Sequence, residues 1–232
     1  MSKAAELASL IGNINAGGGG VNRNVIINGA MNVAQRNTSK ASITAESYNT
    51  VDRFLTAISS AGTWTQSQVS VTDLAGFQNA LKMDCTTADA SLSASDYCGI
   101  QQRFEGQNLV SFKKGLSDAK PFTLSFYVKS NKTGTYTVEL YDTDNTRQVS
   151  QSYTISSANT WEQKSLTFPA DTTGAFVDDA NFSMMCEWYL ASGSNYKSGT
   201  LNTSWNSVTA ANRVASGQVN LADSTDNEWF LT

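Results

Sequence analysis

The sequence predicts an all-β protein: an antiparallel jelly-roll β-sandwich preceded by a short N-terminal helix and a glycine-rich linker. Apolar and polar residues alternate with a period of two in many short segments after residue 22, and turn-forming residues separate these segments. No internal repeat of roughly 20–50 residues is apparent, which disfavours propellers and solenoids. The chain has 232 residues, 40% of them hydrophobic, so one such domain can bury a full core without disulfide or metal crosslinks.

The first 22 residues differ from the rest and are predicted to anchor the protein to a partner. Apolar residues recur there at helical spacing, and the partner-docking stripe consists of Leu7, Leu10 and Ile11. A helix this short is marginal alone in water, so its stripe needs a partner. Four consecutive glycines, residues 17–20, follow as a flexible linker. We therefore divide the chain into an anchoring segment, residues 1–22, and a jelly-roll domain, residues 23–232; a terminus that docks nowhere is the alternative.

Period-two alternation places the strands of the domain. The clearest is the segment 182–190, whose core-facing residues are predicted to be Phe182, Met184, Cys186, Trp188 and Leu190. The full set of predicted strands is 25–27, 51–58, 63–71, 80–85, 97–104, 122–129, 136–141, 148–155, 162–168, 182–190 and 228–231. Many short strands at regular spacing favour a sandwich or barrel.

Composition argues against several classes of function. The formal net charge is −4, from 16 basic and 20 acidic residues, so no surface is expected to neutralise a run of nucleic-acid phosphates. No stretch reaches the roughly 18 apolar residues of a membrane span, and the N-terminus lacks a signal-peptide pattern. Synthesis in a cytoplasm without membrane insertion is therefore expected. The three cysteines, Cys85, Cys98 and Cys186, are expected to stay reduced, and a disulfide between the first two is the alternative.

Catalytic chemistry has little support in the sequence. The chain has no histidine, which removes most Ser-His-Asp and Cys-His mechanisms. Glycoside hydrolysis needs two carboxylates that face one sugar bond. The candidate pairs, all in predicted turns where aspartate usually stabilises the backbone, are Asp142/Asp144, Asp178/Asp179 and Asp223/Asp226. The protein is therefore predicted not to be an enzyme and to have no catalytic residues, and a glycan-degrading depolymerase is the lesser alternative.

Several motifs follow one another along the domain. They are NVIINGAMNVAQR at residues 24–36, YNTVDRF at 48–54, QQRFE at 101–105, FTLSFYVKS at 122–130, TWE at 160–162 and EWYLASG at 187–193. As an ordered set they resemble phage tail-fibre and other virion proteins with a carbohydrate-binding-module-like jelly roll, over residues 24–232. Ala30 and Met31 depart from the family pattern, and the family usually continues with a further strand after the segment that matches residues 228–232.

The resemblance implies a jelly roll, virion localisation and often a homotrimer. We therefore expect a bacteriophage virion structural protein, in the form of a short tail fibre or receptor-binding-type protein. It would dock through residues 1–22 to tail, baseplate or capsid proteins and present the jelly roll to host surface glycans. A capsid decoration or capsid-fibre protein is the alternative. Arg36, Asp52 and Arg53 belong to the family motifs and are expected to form structural ion pairs or interface contacts.

Candidate ligand-binding residues are aromatic, because ring faces pack against sugars. Trp205 lies in the long polar stretch 192–212, with Tyr189 and Tyr196 near it in sequence. The alternative for Trp205 is that it closes the end of the sandwich. No cofactor or metal site is predicted. A structural Ca²⁺ remains an alternative, because sugar-binding jelly rolls often hold one and Asp142-x-Asp144 begins like an EF-hand, although without its glycine and later glutamate.

Overall fold

The computed structural model describes residues 24–232. The predicted anchoring helix, its stripe of Leu7, Leu10 and Ile11, and the glycine linker lie outside this range. Within it, the protein is an antiparallel β-sandwich of one six-stranded and one seven-stranded sheet, which confirms the predicted fold class. No helix in residues 24–232 has the length and apolar character needed to cross a membrane.

Thirteen strands, numbered in chain order, form the two sheets of residues 24–232. The strands are β1 (Ser39–Ile43), β2 (Ser47–Tyr48), β3 (Phe54–Ser59), β4 (Thr63–Ser70), β5 (Asn79–Thr87), β6 (Tyr97–Glu105), β7 (Phe122–Ser130), β8 (Gly134–Asp142), β9 (Arg147–Ile155), β10 (Glu162–Phe168), β11 (Phe182–Ser192), β12 (Asn206–Ser207) and β13 (Glu228–Leu231). A single-turn helix, α1, spans Ser194–Lys197. Short 3₁₀ turns span Gly106–Asn108, Val110–Phe112, Ala210–Asn212 and Leu221–Asp223.

Strands distant in sequence are neighbours in both sheets. The six-stranded sheet has the order β1-β4-β5-β13-β7-β10, and the seven-stranded sheet has the order β12-β9-β8-β11-β6-β3-β2. The late strand β11 is hydrogen-bonded to both β6 and β8, and the last strand, β13, to both β5 and β7. Each sheet is therefore completed by a strand from the last quarter of the chain.

The core between the sheets is rich in aromatic side chains. Trp188 of β11 is buried, and its ring centroid lies 6.3 Å from that of Phe54 and 5.9 Å from that of Phe126. The predicted inner face of β11 is confirmed from Met184 onward, since Met184, Cys186, Trp188 and Leu190 all belong to the core. Phe182 is exposed. The register of β11 against β6 shifts between Phe182 and Met184, so the strand's first residue does not follow the alternation.

One predicted strand is absent, and three short ones were not predicted. Residues 25–27 form no strand: the backbone N–H of Ile27 donates to the side-chain oxygen of Gln102 at 2.8 Å, and its carbonyl accepts from the side-chain nitrogen at 2.9 Å. A side-chain amide thus replaces a neighbouring strand. The strands β1, β2 and β12 escaped prediction because they are short or largely exposed and lack the apolar alternation.

All three cysteines are free and buried, as expected. Cys85 lies on β5 and Cys98 on β6, which belong to opposite sheets, so these strands do not form the hairpin that the disulfide alternative required. Burial raises the pKa of Cys85 to about 11, and burial also raises the pKa of Cys98 and Cys186 well above the ordinary value. These thiols are therefore protonated at neutral pH and behave as small apolar side chains.

Candidate functional site

The outer face of the seven-stranded sheet carries a line of polar side chains across its centre. Glu187 of β11 lies opposite Glu139 of β8 on one side and opposite Gln101 of β6 on the other. Because side chains alternate along a strand, these residues point away from the core that holds Trp188. A Cβ at Gly99, on β6, would lie 2.7 Å from a carboxylate oxygen of Glu187, so the missing side chain leaves space for this carboxylate.

One arginine balances the charge of this line. The Nε of Arg213 lies 2.9 and 3.1 Å from the two carboxylate oxygens of Glu139, and a terminal guanidinium nitrogen lies 2.7 Å from Oε2. The hydroxyl of Tyr189 donates to the same Oε2 at 3.0 Å. The guanidinium is also 3.9 Å from a carboxylate oxygen of Glu187. Two buried carboxylates therefore share one cation.

The electrostatics of the pair favour a proton on Glu187. Burial raises the pKa of Glu187 to about 7, since the lowering by Arg213 is smaller than the burial effect and Glu139 raises the pKa further. The pKa of Arg213 is raised by Tyr189 and Glu139 in spite of its burial, so the guanidinium stays charged. Near neutral pH, this site therefore gains or loses a proton at Glu187.

Two half-buried tyrosines, Tyr141 and Tyr196, lie against Arg213 on this face, and a third, Tyr97, packs against Tyr196. We call Tyr97, Tyr141, Tyr196 and Arg213 the tyrosine–arginine cluster. The guanidinium carbon lies 5.3 Å from the ring centroid of Tyr141 and 5.7 Å from that of Tyr196. The rings of Tyr97 and Tyr196 meet edge to face with centroids 5.4 Å apart. Partly accessible aromatic rings beside a few placed polar groups are typical of small-molecule sites.

The segment 193–218, which follows β11, brings Tyr196 and Arg213 onto the sheet. The backbone N–H of Val214 donates to the carbonyl of Tyr196 at 2.9 Å. The hydroxyl of Ser150, on β9, donates to the carbonyl of Arg213 at 2.7 Å. These bonds fix the segment to itself and to the sheet, so the cluster is held by backbone contacts as well as by its charges.

The predicted ligand-binding residues do not all come together. Tyr189 and Tyr196 both contact Arg213, with the guanidinium carbon 6.0 and 5.7 Å from their ring centroids. Tyr196 is half-buried, but Tyr189 is only 1% exposed, because segment 193–218 covers that face of β11. A ring must be accessible to stack on a sugar, so Tyr189 supports the site from below.

Trp205 lies apart from the cluster. Its indole N–H donates to the carbonyl of Pro169 at 2.9 Å, and its ring centroid lies 6.1 Å from that of Phe122. The residue is 7% exposed and belongs to the core. The structure therefore favours the alternative that Trp205 closes the end of the sandwich over a direct role in ligand binding.

Sequence reasoning missed Tyr97, Tyr141, Glu139 and Arg213. The period of two on β6 and β8 could have placed Tyr97, Tyr141 and Glu139 on one face, but the pairing of β11 between these strands has no local signal. Arg213 follows a 3₁₀ turn in an irregular segment, where no periodicity indicates direction.

At least one carboxylate of each pair considered for catalysis has a structural partner; in the pair Asp178/Asp179, Asp179 accepts from the backbone N–H of Asn181 at 2.9 Å. Asp142 binds Lys114, Asp144 accepts from the backbone N–H of Val177, and Asp223 accepts from the side chain of Asn227. The charged residues of the family motifs form ion pairs as predicted: Arg36 pairs with Asp52 at 3.3 Å, and Arg53 pairs with Glu105 at 2.9 Å. Residues 24–232 contain no group of three or more His, Cys, Asp or Glu side chains that could hold a metal ion.

A cavity of about 420 Å³ opens at the six-stranded sheet, beside β7. Phe77 and Tyr127 form part of its wall, with ring centroids 5.2 Å apart. Trp188 and Phe126 line it from the core, and Gln163 adds an amide. Its lining contains no charged side chain, unlike the tyrosine–arginine cluster. Because the cavity combines apolar walls with a few polar groups, it is the second candidate for a ligand site.

No protein-family model matches the chain, and no curated protein matches its sequence. Several solved structures show weak likeness, among them the three that follow. A protein from Bacteroides thetaiotaomicron VPI-5482, provisionally described as sugar-binding, aligns with 90% of this chain and 97% of its own, at 13% identity and a TM-score of 0.47. A CBM4 structure aligns with 89% of this chain and 97% of its own, at 12% identity and a TM-score of 0.40.

The third structure is the enzymatically active domain of tailspike protein 4 from bacteriophage CBA120. It aligns with 89% of this chain at 10% identity and a TM-score of 0.42. This chain spans only 20% of that tailspike chain. At such identities and scores, these are proteins that the sandwich resembles in part.

Proposed function

We propose that this protein is a bacteriophage virion structural protein, a short tail fibre or receptor-binding-type protein that docks through residues 1–22 and presents its sandwich to host surface glycans. The ordered motifs between residues 24 and 193 support the virion assignment. The observation that carries the glycan assignment is the tyrosine–arginine cluster, in which the half-buried rings of Tyr141 and Tyr196 lie against a guanidinium already paired with Glu139. Such a surface offers ring faces and polar groups in a pre-organised arrangement, which lowers the entropic cost of binding.

The chemistry of the cluster suits sugar recognition. The rings of Tyr141 and Tyr196 would pack against the C–H faces of a sugar, while the guanidinium of Arg213 would bond to its hydroxyl groups. We propose that the site binds without catalysis. Hydrolysis needs one carboxylate to protonate the leaving oxygen and a second to attack or activate water. Glu139 is held by Arg213 and Tyr189, and Glu187 is 1% exposed, so neither carboxylate faces a sugar bond.

Binding to an array of bacterial lipopolysaccharides and capsular polysaccharides tests the proposal. For the polysaccharide that binds best, we expect Tyr141→Ala and Tyr196→Ala each to raise Kd about tenfold, the loss of one aromatic contact. The matched control is Tyr127→Ala, a half-buried tyrosine at the cavity beside β7, which should leave Kd unchanged.

Three outcomes would count against the proposal. Loss of binding with Tyr127→Ala alone would move the site to the cavity. Absence of binding to every polysaccharide would remove the glycan function and favour a capsid decoration or capsid-fibre role. Release of reducing sugars by the wild-type protein would favour a depolymerase instead.

The virion assignment has its own test. Cryo-electron microscopy of the intact particle should locate this chain at the tail or baseplate, with residues 1–22 buried against another protein and three copies grouped around one axis. Density spread over the capsid would support the decoration role, and absence of the chain from purified particles would overturn the virion assignment altogether.

A further inference from the structure

Lys114 lies in a closed cage of oxygen atoms at one end of the sandwich. The residue is 3% exposed, and its side chain is fully buried. Its Nζ lies 2.6 Å from a carboxylate oxygen of Asp142 and 3.1 Å from one of Asp171. Two backbone carbonyls complete the contacts, those of Thr173 at 3.1 Å and Gly174 at 2.7 Å. Four oxygens from two separate parts of the chain therefore converge on one positive charge.

The cage is held in place by its surroundings. Asp142 also accepts from the backbone N–H of Asn145 at 3.0 Å. Arg147 binds both carboxylate oxygens of Asp171, at 2.7 and 3.0 Å. Burial alone would raise the pKa of Asp171, but Arg147 and Lys114 hold that pKa below its usual value. Two carboxylates thus face two cations, and removal of Lys114 would leave one negative charge buried and unbalanced.

The left-handed backbone of Gly174 helps to shape the cage. Its φ is +72°, a conformation that glycine adopts without strain, and a Cβ there would lie 2.6 Å from the side chain of Asn145. The rings of Phe176 and Trp205 lie 5.1 and 5.0 Å from Nζ and close the remaining sides. The donors are carboxylate and carbonyl oxygens, and the ammonium that they hold is fully buried.

This donor set is the one that hard cations such as Ca²⁺ prefer. The sequence left a structural Ca²⁺ open at Asp142 and Asp144, but the structure does not fit that site. Asp142 binds Lys114, and Asp144 instead accepts from the backbone N–H of Val177 at 3.0 Å. A resident metal ion and the Lys114 ammonium would occupy the same space.

We propose that Lys114 takes the place of a divalent cation in this domain: its ammonium fills a hard-cation site, so the wild-type fold needs no Ca²⁺, whereas removal of the side chain opens the cage to Ca²⁺. This inference goes beyond glycan binding and does not depend on it. It assigns a chemical role to a buried lysine that the tyrosine–arginine cluster does not use.

Thermal unfolding of wild type and Lys114→Ala, each in EDTA and in millimolar CaCl₂, tests the proposal. The melting temperature of the wild type should be the same in both solutions. In EDTA, Lys114→Ala should melt roughly 10 °C lower, because a buried carboxylate has lost its partner. CaCl₂ should restore at least half of this loss, and titration calorimetry should show one Ca²⁺ bound per chain.

Two variants separate a metal site from a general salt effect. Lys114→Met keeps the side-chain volume without the charge, so it should be destabilised like Lys114→Ala but gain nothing from CaCl₂. Lys113→Ala removes the neighbouring exposed lysine, which pairs with Asp118 on the surface, and should match the wild type in both solutions. A Lys114→Ala protein that folds but neither binds Ca²⁺ nor gains stability from it would overturn the proposal. Failure of this variant to fold even in CaCl₂ would overturn it too, as would a wild-type melting temperature that EDTA lowers.

Discussion

Glu139 and Glu187 lie directly opposite each other on β8 and β11, and both depend on the guanidinium of Arg213. Like charges at opposite positions of a sheet destabilise it. The arrangement is stable because Arg213 binds Glu139 through three contacts of 2.7–3.1 Å and because burial favours the protonated form of Glu187. This relationship links the fold to the candidate site, since Arg213 also holds Tyr141 and Tyr196 in position.

Arg213→Ala should destabilise the protein strongly. The change leaves Glu139 buried and without its cation, which typically costs about 3–5 kcal/mol in the free energy of unfolding. Urea unfolding followed by fluorescence measures this loss. The control is Arg103→Ala on the same face, whose ion pair with Glu46 is partly exposed and worth about 1 kcal/mol or less. Adding Glu139→Gln to Arg213→Ala should recover part of the loss; if it recovers none, the loss does not come from the stranded carboxylate.

The stability of the protein should depend on the ionisation of Glu187. Its pKa rises from 4.5 to about 7 on folding, so the folded state binds more protons than the unfolded state between these values. Stability is therefore highest with respect to this group below pH 4.5 and falls by about 3 kcal/mol as the pH rises to 8.

Urea unfolding of wild type and Glu187→Gln between about pH 5 and pH 8 measures this dependence. The chain has no histidine, whose titration would otherwise contribute in this range. The wild type should lose stability as the pH rises, and the curve of Glu187→Gln should be nearly flat. A wild-type curve that is flat or rises would mean that Glu187 has an ordinary pKa in the folded protein.

Much of the fold followed from local patterns in the sequence. The strands β10 and β13 occur at the predicted residues because both combine clear alternation with flanking turn residues. The conformation of residues 24–31 could not be predicted from such patterns. Their apolar run forms no strand and is attached to the sandwich by the side chain of Gln102. Contacts between residues that lie 75 positions apart leave no periodic signal.

The candidate site was harder to predict than the fold. Aromatic composition drew attention to the stretch 192–212, which does contain Tyr196. The sequence could not tell that Trp205 turns inward onto Phe122 while Tyr196 stays half-buried, because an irregular segment has no period that fixes side-chain direction. The partner of the buried glutamates, Arg213, is 74 residues away from Glu139 in the sequence.

Trp205→Ala should act mainly on stability. Removal of a buried tryptophan typically costs about 3–5 kcal/mol, and here the hydrogen bond to Pro169 is lost as well. Trp161→Ala is the comparison, because Trp161 is half-buried and its N–H donates to the exposed carboxylate of Asp73. We expect a much smaller loss of unfolding free energy for Trp161→Ala. A Trp205→Ala protein with wild-type stability but no glycan binding would instead support a direct ligand role for Trp205.

Two buried glutamines of the seven-stranded sheet should respond oppositely to replacement by leucine. The side chain of Gln102 makes two hydrogen bonds to the backbone of Ile27, at 2.8 and 2.9 Å. Within residues 24–232, the side-chain amide of Gln148 has no hydrogen-bond partner. Removing one partner of a buried hydrogen bond costs about 1–3 kcal/mol, whereas replacing an unsatisfied polar group by an apolar one is nearly neutral or stabilising.

Gln102→Leu should therefore lower the free energy of unfolding and speed amide hydrogen exchange at Ile27, because its N–H loses its acceptor. Gln148→Leu should leave exchange at Ile27 unchanged and should not lower stability. Urea unfolding and hydrogen exchange by mass spectrometry measure both effects. Equal destabilisation by the two variants would show that the change of side-chain shape, and not the lost hydrogen bonds, lowers the free energy of unfolding. The bonds of Gln102 would then have no special part in attaching residues 24–31 to the sandwich.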